Sequence, residues 1–263
     1  MIPARKSAWF RRWFAGHAAG RMRATFNTVR VAGAEHLREA LAAGPVVIVS
    51  NHTAWWDPLV ALVLTERVAP CDSYAMMDAA NLRRLPFLGR IGGFGVDLTS
   101  ASDGAAVIRY AARLLDGPGR AVWVFPQGRE RPVTERPLGF RRGSAEVARV
   151  AKAATVPLAI RYEFGGAERP ELLVDVGEAI APERDVEALR ARQERAVTEA
   201  LDRVDASLRA GDLARYEAVI RAPESALGRF AERALAWMTR PRAELTPARG
   251  GAPSPSRPAR APT

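Results

Sequence analysis

The spacing of apolar and polar positions changes period along the chain, and each change predicts an element. Val46-Val47-Ile48-Val49 is an unbroken β-branched run that stops at Ser50, Asn51 and His52, the pattern of a buried strand. Short apolar runs predict further strands at residues 72–77, 121–125, 155–160 and 172–176, and residues 26–33 alternate as a short strand. Helical periodicity predicts helices over 35–42, 59–64, 103–115, 144–153, 183–210 and about 223–238, with Asp103 as a cap and Trp237 packing the last helices onto the body. The order predicts one α/β domain, with a mainly parallel, mixed sheet flanked by helices, over residues 31–238. No apolar run reaches the roughly 18 residues that a membrane span needs.

The first 30 residues read differently. Trp9, Phe10, Trp13, Phe14 and His17 recur at helical spacing, while Arg5, Lys6, Arg11 and Arg12 lie off that face. Residues 1–30 hold seven basic residues and no acid, and residues 239–263 hold five arginines against Glu244. The net charge of +10 therefore belongs to the two ends. A basic amphipathic helix with aromatic residues suits an anionic membrane surface, each arginine adding about 1 kcal/mol, with Trp9, Phe10, Trp13 and Phe14 as the contacts. The same aromatic face could instead pack on the body. No groove- or base-reading motif accompanies the charge, so nucleic acid is not an expected partner. No continuous apolar core follows the first charges, as a secretory signal would require. From Arg240 onward Pro, Ala, Arg and Ser without periodicity read as a disordered basic tail.

One cysteine, Cys71, excludes an internal disulfide and fits a reducing compartment; its thiol reads as a small core group. Three histidines, His17, His36 and His52, make a histidine-rich metal centre improbable in composition, so no metal is expected. The chemistry then centres on His52. In a parallel sheet, ligands bind at the carboxyl ends of strands, and His52 stands at such an end with Asp57 five residues on. A carboxylate on one ring nitrogen would fix the tautomer, leaving the other nitrogen to take a proton. The same spacing fits a structural histidine beside a helix-capping aspartate. A second strand, ending at Phe125, delivers Pro126-Gln127-Gly128-Arg129-Glu130-Arg131 to the same edge if the strands are parallel. Glycine there permits close backbone approach, and flanking arginines can hold phosphate; the plain alternative is a charged surface turn.

Asn51-His52-Thr53-Ala54-Trp55-Trp56-Asp57 followed by Phe125-Pro126-Gln127-Gly128-Arg129 resembles the lysophosphatidate (1-acylglycerol-3-phosphate) acyltransferase family, with its N-H-x-x-x-x-D and F-P-E-G blocks. Phe140-Arg141-Arg142-Gly143 and Val156-Pro157-Leu158-Ala159-Ile160 resemble two further blocks of that family. The resemblance implies a glycerol-3-phosphate acyltransferase-like fold and transfer of a fatty acyl group from acyl-CoA or acyl carrier protein to a lipid hydroxyl, without a resident cofactor. It implies His52 as general base, Asp57 as its orienter, and Gln127, Gly128, Arg129 and Arg131 as acceptor-binding residues. The basic aromatic helix at residues 1–30 predicts a peripheral location on the cytoplasmic face of the membrane. The chain departs from the pattern in three places: Leu98 stands where an arginine is expected, Gln127 replaces a glutamate, and Glu130 occupies another arginine position. These departures keep open a different lipid or glycolipid acceptor. A hydrolase is disfavoured by the lack of a Gly-x-Ser-x-Gly elbow. A basic binding module with an inert His52 remains the alternative from another class.

Overall fold

The structure, a computed structural model, describes residues 1–97 and 101–223. The helix expected over 223–238, the role of Trp237, the tail at 239–263, Leu98 and the side chain of Asp103 lie outside the described residues.

Among the described residues, eight strands form one mixed sheet in the order β4-β3-β5-β2-β6-β7-β1-β8. They are β1 (Thr28–Ala32), β2 (Val46–Ser50), β3 (Asp72–Asp78), β4 (Gly93–Val96), β5 (Arg120–Val124), β6 (Ala154–Glu163), β7 (Glu171–Val176) and β8 (Glu217–Arg221). The block β4-β3-β5-β2-β6 is parallel throughout, whereas β7 runs antiparallel to β6. The carboxyl ends of β2, β5 and β6 therefore open on one edge.

Helices cover both faces. Helices α1 (Ala8–Thr25), α2 (Ala34–Ala43) and α3 (Asp57–Val63) pack one face through Met22, Leu37 and Leu59. Helices α5 (Ala101–Leu114), α6 (Gly143–Ala151) and α7 (Val186–Ala210) pack the other through Val107, Val147 and Leu189, and the short α4 (Ala79–Arg84) follows β3. Successive strand residues point to opposite faces, so Val46 and Ile48 enter one core while Val47 and Val49 enter the other. Burial on both sides is why the sequence of β2 carries no polar alternation.

β4 and β8 were not among the expected strands. In β4 the reason is physical. A Cβ on Gly93 would lie 2.7 Å from the Met77 side chain and 2.8 Å from the Leu88 carbonyl, and one on Gly95 would lie 3.0 Å from Ala79. Glycine permits that closeness and at the same time removes the β-branched signal of a strand. The edge is completed by Ile2, which exchanges backbone hydrogen bonds of 3.0 and 2.8 Å with Gly95.

Helix α1 lies on the body with its aromatic residues divided. Trp9 and Trp13 are 70% and 55% exposed, whereas Phe10 and Phe14 are half-buried, Phe14 resting on Phe87 and Phe10 beneath the Arg90 guanidinium. Arg11 corrects the sequence expectation, since it is buried rather than on an outer basic face. Its guanidinium pairs with Glu66 at 2.9 Å and donates to Ser73 Oγ at 2.8 Å, to Thr65 Oγ1 and to the Cys71 carbonyl. Four partners at that depth rivet α1 to the turn after α3 and to β3.

Candidate active site

Asn51 converts a strand end into a rigid platform. Pairing between β2 and β6 ends at Ser50 and Leu158. Beyond it, the Asn51 side chain takes over the ladder: its Nδ2 donates to the Ile160 carbonyl at 2.9 Å, and its Oδ1 accepts the Ile160 N–H at 2.8 Å. His52 follows immediately. Its main-chain N–H donates to Gln127 Oε1 at 2.6 Å, and its carbonyl accepts from the Arg131 N–H at 2.9 Å. The ring stacks on Phe125, centroid to centroid 4.6 Å. Backbone and ring are thus both fixed before any ligand arrives.

The His52 side chain is 18% exposed and Asp57 is fully buried. Asp57 Oδ2 receives His52 Nδ1 at 2.7 Å, the Thr53 N–H at 2.7 Å and the Ala54 N–H at 3.0 Å, while Oδ1 receives the Tyr162 hydroxyl at 2.6 Å. A carboxylate oxygen accepts, so the proton between the pair sits on Nδ1, and Nε2 carries the lone pair. Asp57-Pro58 also opens α3, where an acid in the first turn favours the helix dipole. Asp57 consequently acts both in the helix start and on the imidazole.

The β5 loop reaches the same edge. Pro126 to Gly128 form a turn closed by the Gly128 N–H on the Phe125 carbonyl at 3.0 Å, with Gly128 at φ 73°. A Cβ there would meet the Arg141 guanidinium at 3.1 Å. The positive φ and this crowding both require glycine. Arg141 is anchored by its own N–H on the Pro126 carbonyl at 3.0 Å, so the segment before α6 runs alongside the turn.

Not all four residues expected to bind the acceptor face outward. Gln127 is 2% exposed and its oxygen is committed to the His52 amide, so it supports the histidine from behind. The Arg131 guanidinium is paired with Glu135. Gly128 and Arg129 are exposed, and among the described residues neither Arg129 nor the Arg141 side chain has a hydrogen-bond or ion-pair partner. Arg142, the other member of the basic pair, is engaged by Glu146 and Glu187.

Tyr162 and Phe125 were missed as parts of the site. Tyr162 is 105 positions from Asp57, and no local pattern links them. Its phenol is held protonated far above the ordinary range, chiefly by burial and then by the adjoining Asp57. Cys71 lies elsewhere, beside Arg11; burial pushes its thiol up to about 11, which leaves little thiolate near neutrality. Among the described residues, no three His, Cys, Asp or Glu side chains are grouped to hold a metal ion, and no helix is long and apolar enough to cross a membrane.

Residues 28–161, about half of the chain, match the family model Acyltransferase. No curated protein matches the chain. Among solved structures, the 1-acyl-sn-glycerophosphate (LPA) acyltransferase PlsC from Thermotoga maritima is similar in fold, with a TM-score of 0.55 and 19% identity over 74% of this chain and 81% of that one. The matched segment runs from β1 through His52, Asp57 and the Gly128 turn to β6, and the chain belongs to the acyltransferase family.

Proposed function

We propose that this chain is an O-acyltransferase that moves a fatty acyl group from the thioester of acyl-CoA or acyl carrier protein to the free hydroxyl of lysophosphatidate, giving phosphatidate in phospholipid biosynthesis. One observation carries the reading: Asp57, fully buried, holds His52 Nδ1 at 2.7 Å, which leaves Nε2 as a base at the carboxyl end of β2. Nε2 takes the proton of the acceptor hydroxyl as that oxygen attacks the thioester carbonyl. The tetrahedral intermediate then expels the thiolate, and the imidazolium returns the proton to sulfur. Among the described residues, no Ser, Thr or Cys side chain is hydrogen-bonded to the His52 ring, which supports direct attack without an acyl-enzyme. Arg129 and Arg141, exposed beside Gly128, suit a phosphate through paired N–H donors.

The enzyme works peripherally, on the cytoplasmic face of an anionic membrane. Trp9 and Trp13 on α1 and Trp55 in the histidine loop, 59% exposed, are the contacts that support this, with Arg21 held over the rings of Trp55 and Trp56. A different lipid or glycolipid hydroxyl is the second reading. It is favoured by Leu98 in place of an arginine and by the committed side chains of Gln127 and Arg131.

The test is thiol release from a long-chain acyl-CoA with lysophosphatidate, for the wild type and His52→Ala. Release that needs both acceptor and His52 supports the first reading. Release only with another lipid hydroxyl supports the second. Silence with every donor and acceptor leaves a basic membrane-surface binding module.

A further inference from the structure

Two oxygens of Asp57 do different work. Oδ2 is shared among His52 and two main-chain amides of the same loop, all within five residues of Asp57. Among the described residues, Oδ1 has a single donor, the Tyr162 hydroxyl at 2.6 Å, and it comes from β6. Asp57 is 0% exposed, so bulk water cannot replace that donor. Loss of the hydroxyl leaves one oxygen of a buried carboxylate without a hydrogen bond.

The placement of Tyr162 is itself built. Residues 158, 160 and 162 of β6 share a face, and the Asn51 clamp on Ile160 sets their height relative to His52. From there the Tyr162 ring packs on Phe26, 5.7 Å between centroids, and Phe26 in turn meets Trp56 edge-on at 5.1 Å. The ring is wedged and the hydroxyl has one direction to point.

We propose that Tyr162 is a positioning residue for acyl transfer: its hydroxyl, by holding Asp57 Oδ1, sets both the orientation of the carboxylate and how strongly it attracts the His52 imidazole. The proposal rests on the reading of His52 as general base. A hydrogen bond to one oxygen draws negative charge away from the other. Without it, Asp57 pulls harder on a protonated ring and the base is harder to regenerate as free imidazole. The other groups that bear on the cluster are Glu130, whose charge reaches Tyr162, and Arg21 over Trp55 and Trp56. Arg161 on the same strand is turned to Glu163 and Asp205. Tyr162→Phe leaves all of these in place.

The experiment follows the proton shared by His52 Nδ1 and Asp57 Oδ2 by NMR, in the wild type, in Tyr162→Phe, and with 3-fluorotyrosine, a stronger donor, placed at position 162. The resonance moves downfield in Tyr162→Phe, where Asp57 pulls harder on the ring, and upfield with fluorotyrosine. In parallel, kcat of Tyr162→Phe drops about tenfold with KM little changed. A resonance that stays fixed in both variants, with the fold intact by circular dichroism, overturns the proposal, because a purely structural ring would behave in that way. A wild type silent in acyl transfer, with a resonance that still moves, overturns the acyl-transfer reading and leaves the Tyr162 coupling to His52 intact.

Discussion

Gln127 Oε1 accepts the main-chain N–H of His52 at 2.6 Å, and Gln127 is almost fully buried in doing so. With the Arg131 N–H on the His52 carbonyl, the loop after β5 grips the histidine at both of its peptide groups. This gives the glutamine a physical role in a place where the resembling family carries glutamate. Receiving an N–H requires an oxygen, not a charge.

Replacement at position 127 should separate the two properties. Gln127→Glu keeps the oxygen and should retain thiol release close to the wild type. Gln127→Leu leaves the His52 N–H buried without an acceptor, which costs about 1–3 kcal/mol. Urea titrations should show that loss as a lowered midpoint, with kcat falling alongside it. Equal stability of the leucine variant would mean that the loop holds His52 by packing alone.

The His52–Asp57 pair makes a prediction of larger size. A positioned general base contributes roughly 10²–10⁴-fold. His52→Ala should lose activity within that range and keep its fold, since the ring is partly exposed. Asp57→Asn should lose as much and be less stable too. An amide nitrogen facing the Thr53 and Ala54 N–H groups is a mismatch, and one turned to Tyr162, whose hydroxyl can accept, still costs the carboxylate charge that these donors hold. Steady-state rates and thermal melts of the two variants, side by side, distinguish a damaged base from a damaged scaffold.

Much of this site can be seen in the chain itself. The apolar run of β2, the breaking residues after it and the His52–Asp57 spacing place a base at a strand end, and β2 and β5 prove parallel, as the shared edge required. Three features resist a linear reading. Gly93 and Gly95 form a strand by omitting the side chains that announce one. Arg11 looks like a surface cation because only the fold brings Glu66, Thr65, Cys71 and Ser73 around it. Tyr162 meets Asp57 across 105 positions, through a strand register that the Asn51 clamp extends. Local periodicity reports which face is buried; it does not report what two distant segments put opposite each other.

The divided face of α1 allows adhesion and stability to be tested separately. Trp9→Ala with Trp13→Ala removes exposed rings and should leave the melting temperature nearly unchanged, because neither ring is in the core. The same double variant should sediment poorly with anionic vesicles. Arg11→Met should do the reverse, binding vesicles while losing about 3 kcal/mol or more of stability, since Glu66 and the polar groups around it are left unpaired. Vesicle binding that survives loss of both tryptophans would remove α1 as the membrane contact.

Cys71 predicts an alkaline weakness. Burial raises its thiol from an ordinary value of 9.0 to about 11 in the folded chain. Between these values the unfolded chain has released the proton and the folded chain still holds it, so the unfolded state binds fewer protons. Stability contributed by the neutral thiol is complete below about pH 9 and falls as pH rises toward about 11, by about 2–3 kcal/mol in all. Lys6, held below its ordinary value mainly by burial, acts in the opposite direction, so the wild type alone would blur the effect. Comparison with Cys71→Ala isolates it. The gap in unfolding free energy between the two proteins should narrow steadily from pH 8.5 to pH 11 in urea titrations. In the native wild type, alkylation by iodoacetamide should be slow at pH 8 and become rapid only on unfolding. A gap that does not change with pH would place the Cys71 thiol in contact with water, and prompt alkylation of the native protein would say the same.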